Sequence, residues 1–166
     1  MKSKKFFIVI VMMTKFLPLM AQENSEQIYL KIDPMRMIGI SSGIARSKVS
    51  SNEVYDSLAD TVIWINCTSI VEAEEKNKIV VMLNKQLPSS TMLKISATTY
   101  SGQGNGSFGT PSSELTLSTI PQDLITKIGS CWTGVGTGNG YKVIYSWNRD
   151  NPPPKDVKVI FRIIAQ

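Results

Sequence analysis

The 166-residue sequence contains no histidine. The side chain most often used as a general base near neutral pH is missing, so neither a serine nor a cysteine can be activated by an imidazole. No serine, lysine or carboxylate pair stands in a recognisable nucleophile–base pattern either, and the sequence therefore predicts no enzyme, no catalytic residue and no cofactor. Cysteine is confined to Cys67 and Cys131. Long stripes of helical period are absent, and the apolar run at residues 6–13 ends at Thr14 and Lys15, short of the ~20 residues that span a bilayer. The glycines at 134, 136, 138 and 140 lack the GxGxxG spacing, and no GK[ST] follows them, which excludes a phosphate-binding loop in favour of an ordinary loop beside a strand. Glu72, Glu74 and Glu75 form an acidic cluster without the alternating ligands of a calcium loop, so a solvated turn is expected there and no metal site.

What is present begins with an export signal. Lys2, Lys4 and Lys5 precede the apolar run, and Pro18 to Ala21 supply a breaker and a small residue, the layout of a cleaved leader over residues 1–21. Leu19 stands where a small side chain is usual before the cut, which leaves the cleavage position open. The apparent basicity, +5, belongs to this leader: it takes four of the 18 basic residues and none of the 13 acidic ones, leaving +1. No surplus remains to neutralise phosphates, so nucleic acid is excluded as a partner, and nothing spans a membrane once the leader is gone. Residues 22–166 match one domain exported to the periplasm, the cell surface or the medium.

Within that domain the period is two. Residues 28–32 (IYLKI), 44–49, 61–67 (TVIWINC), 78–83 (KIVVML), 92–98 (MLKISAT), 114–118 (ELTLS), 141–147 (YKVIYSW) and 157–164 (VKVIFRII) read as strands rich in β-branched and aromatic residues. In the last, Val157, Val159, Phe161 and Ile163 share a face opposite Lys158 and Arg162. Residues 101–113 read as a flexible loop, Asn139-Gly140 as a tight hairpin turn, and residues 122–128 as one helical turn crossing between sheets. The expected fold is all-β: a single antiparallel, immunoglobulin-like β-sandwich of about seven to nine strands. The antibody pattern of a tryptophan between two bridged cysteines is missed, because Trp64 precedes Cys67 and Trp132 follows Cys131.

In an exported chain, Cys67 and Cys131 are expected to form a disulfide. By chain entropy the long loop it closes is worth about 4 kcal/mol. Among the aromatics, Trp64 and the inward member of Tyr145 and Trp147 are expected in the core. Trp132 and Tyr141, beside the glycine loop, are the candidates for an exposed contact that stacks on a glycan or holds a peptide. Asp56, Asp60 and Asp123 are carboxylates that nothing in the linear sequence brings together. Asn66-Cys67-Thr68 and Asn105-Gly106-Ser107 match the glycosylation triplet, the first on a strand expected to be buried.

The segments Leu87-Pro88, 91–95 (TMLKI), 115–119 (LTLST), 122–126 (QDLIT) and Ile128-Gly129, with Tyr141, Val143, Tyr145 and the strand over 157–161, resemble small secreted β-sandwich proteins of chaperone-usher pilus systems. The resemblance covers roughly residues 60–164 and implies a pilin-like or adhesive role in a Gram-negative envelope, with a periplasmic chaperone and neighbouring subunits as partners through strand addition. It implies no catalytic residues. Ile28, Leu30 and Ile32, alternating with Tyr29 and Lys31 shortly after the leader, fit a donor strand, although the ordinary first strand of a self-contained sandwich is the favoured reading. The alternative function is a self-contained periplasmic or extracellular module binding a glycan or peptide.

Overall fold

The structure, a computed structural model, describes residues 32–42 and 52–166. The expected leader, Ile28 and Leu30 of the expected donor strand, and the strand expected at 44–49 lie outside the described residues. In chain order the strands are β1 (Met35–Ser41), β2 (Glu53–Asp56), β3 (Val62–Ile70), β4 (Asn77–Leu83), β5 (Leu93–Ala97), β6 (Asn105–Gly106), β7 (Thr110–Pro111), β8 (Leu115–Thr116), β9 (Gln122–Ile128), β10 (Cys131–Trp132), β11 (Tyr141–Trp147) and β12 (Val159–Ala165). No helix occurs among the described residues. The twelve strands among the described residues exceed the seven to nine expected, because four are two-residue ladders that carry no periodicity of their own.

Two antiparallel sheets result, consistent with a β-sandwich. The first is built on β3, with β1 along one side and β11 followed by β10 along the other; β5 and β8 continue outward from β11, and β6 from β10. The second has the order β2-β12-β4-β9-β7. The period-two pattern places Ile63, Ile65, Val143, Tyr145, Leu93 and Ile95 of the first sheet against Ile79, Val81, Val159, Phe161 and Ile163 of the second, all in one buried cluster. Each such side chain contributes about 1.5–3 kcal/mol by leaving water, the main driving force for closing the two layers. The faces expected for the last strand are as observed, with Val157, Val159, Phe161 and Ile163 fully buried and Arg162 at the surface beside Glu53.

Buried polar groups are paired where the sheets meet at the end of β3. Asn77, on the second sheet, donates to the Ser69 hydroxyl at 2.9 Å and accepts from the Arg36 guanidinium at 2.8 Å, both partners lying on the first sheet. An unpaired amide in that position costs about 1–3 kcal/mol, so the triplet favours this register over its neighbours.

Three local expectations are corrected. Residues 122–128 form β9, not a helical turn: Leu124 and Ile125 are both buried because the β4–β9 pairing shifts register between Ile79 and Val80, and such an irregularity mimics a mixed period. Residues 101–113 carry β6 and β7 and are held by two tyrosines. The Tyr100 hydroxyl accepts the Gly104 N–H, the Tyr141 hydroxyl accepts the Gly109 N–H at 3.0 Å, and Phe108 stacks on Tyr100.

Asn139-Gly140 is not the turn of a hairpin. Cys131 and Trp132 pair with Ser69 and Thr68, Tyr141 to Ile144 pair with Ile65 to Val62, and β10 and β11 thus lie end to end along the same side of β3. The glycine-rich residues 134–140 leave this line opposite Asn66 and return to it. Gly140 makes the return possible: its φ is +103°, and a Cβ there would stand 2.1 Å from the Ile65 carbonyl oxygen. Gly140→Ala is expected to cost on the order of 3 kcal/mol in urea denaturation, from backbone strain and that clash. Gly138→Ala, with φ +87° but open space around it, should cost only about 1 kcal/mol.

Candidate functional site

The outward-facing residues of the first sheet around the glycine loop form the most distinctive surface. Directly opposed residues share a face, so Met37 of β1, Thr68 of β3, Trp132 of β10 and Asn105 of β6 make one outward row. Trp132 is half exposed, at 50%. A second row joins Ser41, Trp64 and Lys142, and a third joins Val62, Ile144 and Ser96. The glycine loop rises between the first two rows, with Val135 exposed on it. Its neck is tied to the sheet by Asn66, whose amide donates to the carbonyls of Gly136 and Asn139 and accepts from the Ser41 hydroxyl at 2.6 Å. Asn139 closes the loop on itself, its amide donating to the Val135 carbonyl at 3.0 Å while its side-chain oxygen accepts the Gln103 N–H at 3.1 Å. The surface therefore offers an indole, two thioether or aliphatic neighbours and a ring of amide and hydroxyl groups, chemistry suited to stacking and hydrogen bonding.

Tyr141 does not belong to this surface. It lies opposite Ile65 on the inner face, fully buried, with Tyr100 edge-on at 6.3 Å, and burial pushes its phenol far above the usual tyrosine range. Trp64, expected in the core, is on the outer face and half-buried, because the side chains that enter the core from β3 are Ile63, Ile65, Cys67 and Ser69. Tyr145 faces inward as expected, and Trp147, two residues on, packs partly buried against the same core. Of the expected donor residues, Ile32 is described: it is 59% exposed and precedes the first described strand, whose inward residues are Ile38 and Ile40. Glu72, Glu74 and Glu75 are exposed around a turn between β3 and β4, as the solvated-turn reading expects. Asn66 of the first glycosylation triplet is buried beneath the glycine loop.

Cys67 and Cys131 are brought together, on adjacent strands and the same inner face, but they are free thiols in this structure and the expected bridge is not formed. Cys131 stands opposite Ser69, and Cys67 stands opposite Thr133, whose hydroxyl accepts the Cys67 N–H at 2.8 Å, so the cysteines are diagonal neighbours. The neighbouring Cys131 thiol and burial raise the Cys67 thiol above its ordinary range, whereas Cys67 beside it lowers Cys131.

The fold also unites two of the three aspartates that the linear sequence left scattered. Asp123 is paired with Lys78 at 2.9 Å on the second sheet, whereas Asp56 and Asp60 flank residues 57–59 and act on each other electrostatically. Burial raises the Asp56 carboxyl, Asp60 adds to the rise, and the Tyr145 hydroxyl and the N–H groups of Leu58 and Ser57 oppose it. Sequence reasoning missed this cluster because its third member, Tyr145, arrives from the opposite sheet.

The described chain is thus an all-β protein of two antiparallel sheets. No family model, no curated protein and no solved structure matches it.

The folded state binds the Asp56 proton more tightly than the unfolded chain does. The stability this contributes is complete below the ordinary carboxylate range near pH 4 and is lost as pH rises through the raised folded value. Asp56→Asn, neutral at every pH, is therefore expected to match the wild type in urea midpoint at low pH and to exceed it increasingly toward pH 7 in EDTA. A difference independent of pH would show that folding leaves the Asp56 carboxyl at its ordinary value.

Proposed function

We propose that this protein is an exported structural or adhesive component of a Gram-negative cell envelope, a pilin-like or accessory surface subunit that joins its neighbours by strand addition. The observation that carries this reading is the position of β1. It is the first described strand, it pairs among the described residues with β3 alone, and it inserts alternate side chains, Ile38 and Ile40, into the core. An edge strand with those properties supplies a complete ladder and two apolar anchors to whichever β3 it meets, its own or that of another copy. The donor segment in this proposal is accordingly Met35–Ser41, in place of Ile28, Leu30 and Ile32. A periplasmic chaperone would cover the same edge of β3 before assembly. The immunoglobulin-like arrangement belongs to the same proposal, supported by two antiparallel sheets sharing one core and by a chain that passes repeatedly between them.

The exposed Trp132 favours a second reading, a self-contained module that binds a glycan or peptide on the outer face of the first sheet. Assembly separates the two. Envelope material run unboiled and boiled on a denaturing gel is expected to show a heat-sensitive ladder at multiples of the subunit mass. That ladder should be lost in Ile38→Asp and blocked in wild type by an excess of a peptide with the sequence of residues 35–41. A single monomer band under both conditions sinks strand addition and leaves the Trp132 surface as the functional one.

Export also bears on the thiols. We propose that Cys67 and Cys131 close to a disulfide in the envelope, two electrons and two protons passing to a disulfide-bearing oxidant as the sulfur–sulfur bond forms. Intact mass of envelope-derived protein is expected 2 Da below the reduced value, within the usual definition of one bridge. Alkylation of both cysteines without prior reduction would show that the thiols stay free.

A further inference from the structure

At the opposite end of β3 from the Arg36–Asn77–Ser69 bridge, the chain crosses from the second sheet to the first. β2 ends at Asp56, residues 57–61 make the crossing, and β3 begins at Val62. Leu58, at the middle, has φ +57°, a left-handed conformation that bends the crossing and brings its two acidic ends toward each other. Tyr145 enters from β11, held beside the crossing by its N–H, which donates to the Thr61 carbonyl at 2.9 Å. Its side chain is 97% buried by area, being only 3% exposed.

Three oxygens converge there. Asp56 Oδ2, Asp60 Oδ2 and Tyr145 Oη are each shielded from solvent; the Tyr145 hydroxyl faces the Asp56 carboxyl, but no described residue supplies any of the three with a hydrogen bond of good geometry. Folded proteins seldom leave such groups unpaired, and carboxylate oxygens least of all. No lysine or arginine forms an ion pair with either aspartate among the described residues; the four ion pairs there lie elsewhere. The pair is thus two partly buried carboxyls, each with one shielded oxygen, beside a buried phenol and without a cationic partner among the described residues.

The donor set fixes the chemistry of what would fill it. The chain has no histidine, and both cysteines sit on β3 and β10 away from this crossing, so ions that require nitrogen or sulfur ligands are poorly served. Oxygen ligands from carboxylates, a hydroxyl and water suit a hard cation. Calcium tolerates an irregular shell of six to eight oxygens, whereas magnesium demands a near-ideal octahedron, which an irregular crossing does not preset. A cavity of about 250 Å³ lined by Ser57, Leu58, Ala59, Trp147 and the proline run at 152–154 adjoins the crossing.

We propose that Asp56, Asp60 and Tyr145 form a calcium site that ties the two sheets together at the β2–β3 crossing. With two carboxylates the site is a weak one, of the extracellular kind, with a dissociation constant on the order of 0.1–1 mM. The cation offsets the cost of burying the carboxylate of Asp56, and it bridges β2 of the second sheet to β11 of the first. The site does not depend on how subunits assemble.

The test uses the full chain purified from an exporting host and stripped with EDTA, then titrated with calcium chloride at pH 7 and followed by thermal denaturation and by calorimetry. The melting temperature is expected to rise by about 5 °C at saturating calcium, with one site per chain. Asp60→Asn should raise the half-saturating concentration about tenfold without lowering the metal-free melting temperature. Tyr145→Phe keeps the ring in the core and removes only the hydroxyl, so it should weaken calcium binding in the same direction even if the aspartate variant folds poorly. No heat and no shift up to ~10 mM calcium, ten times the weak end of the expected range, overturns the proposal. An equal shift in wild type and both variants, or an equal shift from sodium chloride at matched ionic strength, overturns it as well, since the effect would then be general screening.

Discussion

The rest of the architecture hangs on the ladder along β3. This nine-residue strand is hydrogen-bonded on both sides, by β1 over its length from Trp64 to Ile70 and by β11 and β10 in succession on the other side. Its register decides the identity of every neighbouring face. Ile63, Ile65, Cys67 and Ser69 enter the core while Trp64, Asn66 and Thr68 turn outward, and a slip of one residue would exchange the two sets. Asn66 is the point at which the opposing strand breaks. Its outward amide, buried beneath the glycine loop, replaces the ladder bonds lost there and so lets a seven-residue excursion be inserted without loosening either half of the strand.

Both ends of that ladder are polar, and both join the sheets. At one, Arg36, Asn77 and Ser69 satisfy each other, and the contact is complete without any ligand. At the other, Asp56, Asp60 and Tyr145 are brought together without a cationic side chain paired to them among the described residues. Between them the core of the described residues is apolar apart from the cysteine pair, Thr133 and the Tyr141 hydroxyl. The same sandwich therefore carries a self-sufficient polar clamp and an incomplete one, and the incomplete one is where an external species has most to offer. The outer face of the first sheet is a separate matter, a surface in which Trp132 is exposed because β10 is only two residues long and β6 beyond it is too short to cover an indole.

Much of this was legible from residue order. Strands over 62–70, 77–83, 93–97, 141–147 and 159–165 follow from β-branched residues in period two, and the burial of Val157, Val159, Phe161 and Ile163 follows from alternation alone. Where the reading failed, the pattern itself was broken. β9 carries two adjacent buried residues because its pairing is irregular, and β10 is too short to have a period. Trp64, expected in the core, is turned outward by the alternation of Ile63 and Ile65 around it.

Local chemistry in the chain settles that residues of this composition form strands, where most of them lie, and which side chains within each strand share a face, since these depend on a repeat of two and on turn-forming residues close in sequence. Which strands become neighbours depends on contacts between residues far apart, and no local rule contains them. Packing alone turned a glycine-rich segment from an expected hairpin into an excursion from one strand, set Cys67 diagonal to Cys131 instead of opposite it, and drew Tyr145 across the core to two aspartates on the far side. The reason is physical: a strand can pair with any other of compatible pattern, and the choice is made by the joint burial of both sheets and the satisfaction of every buried polar group at once.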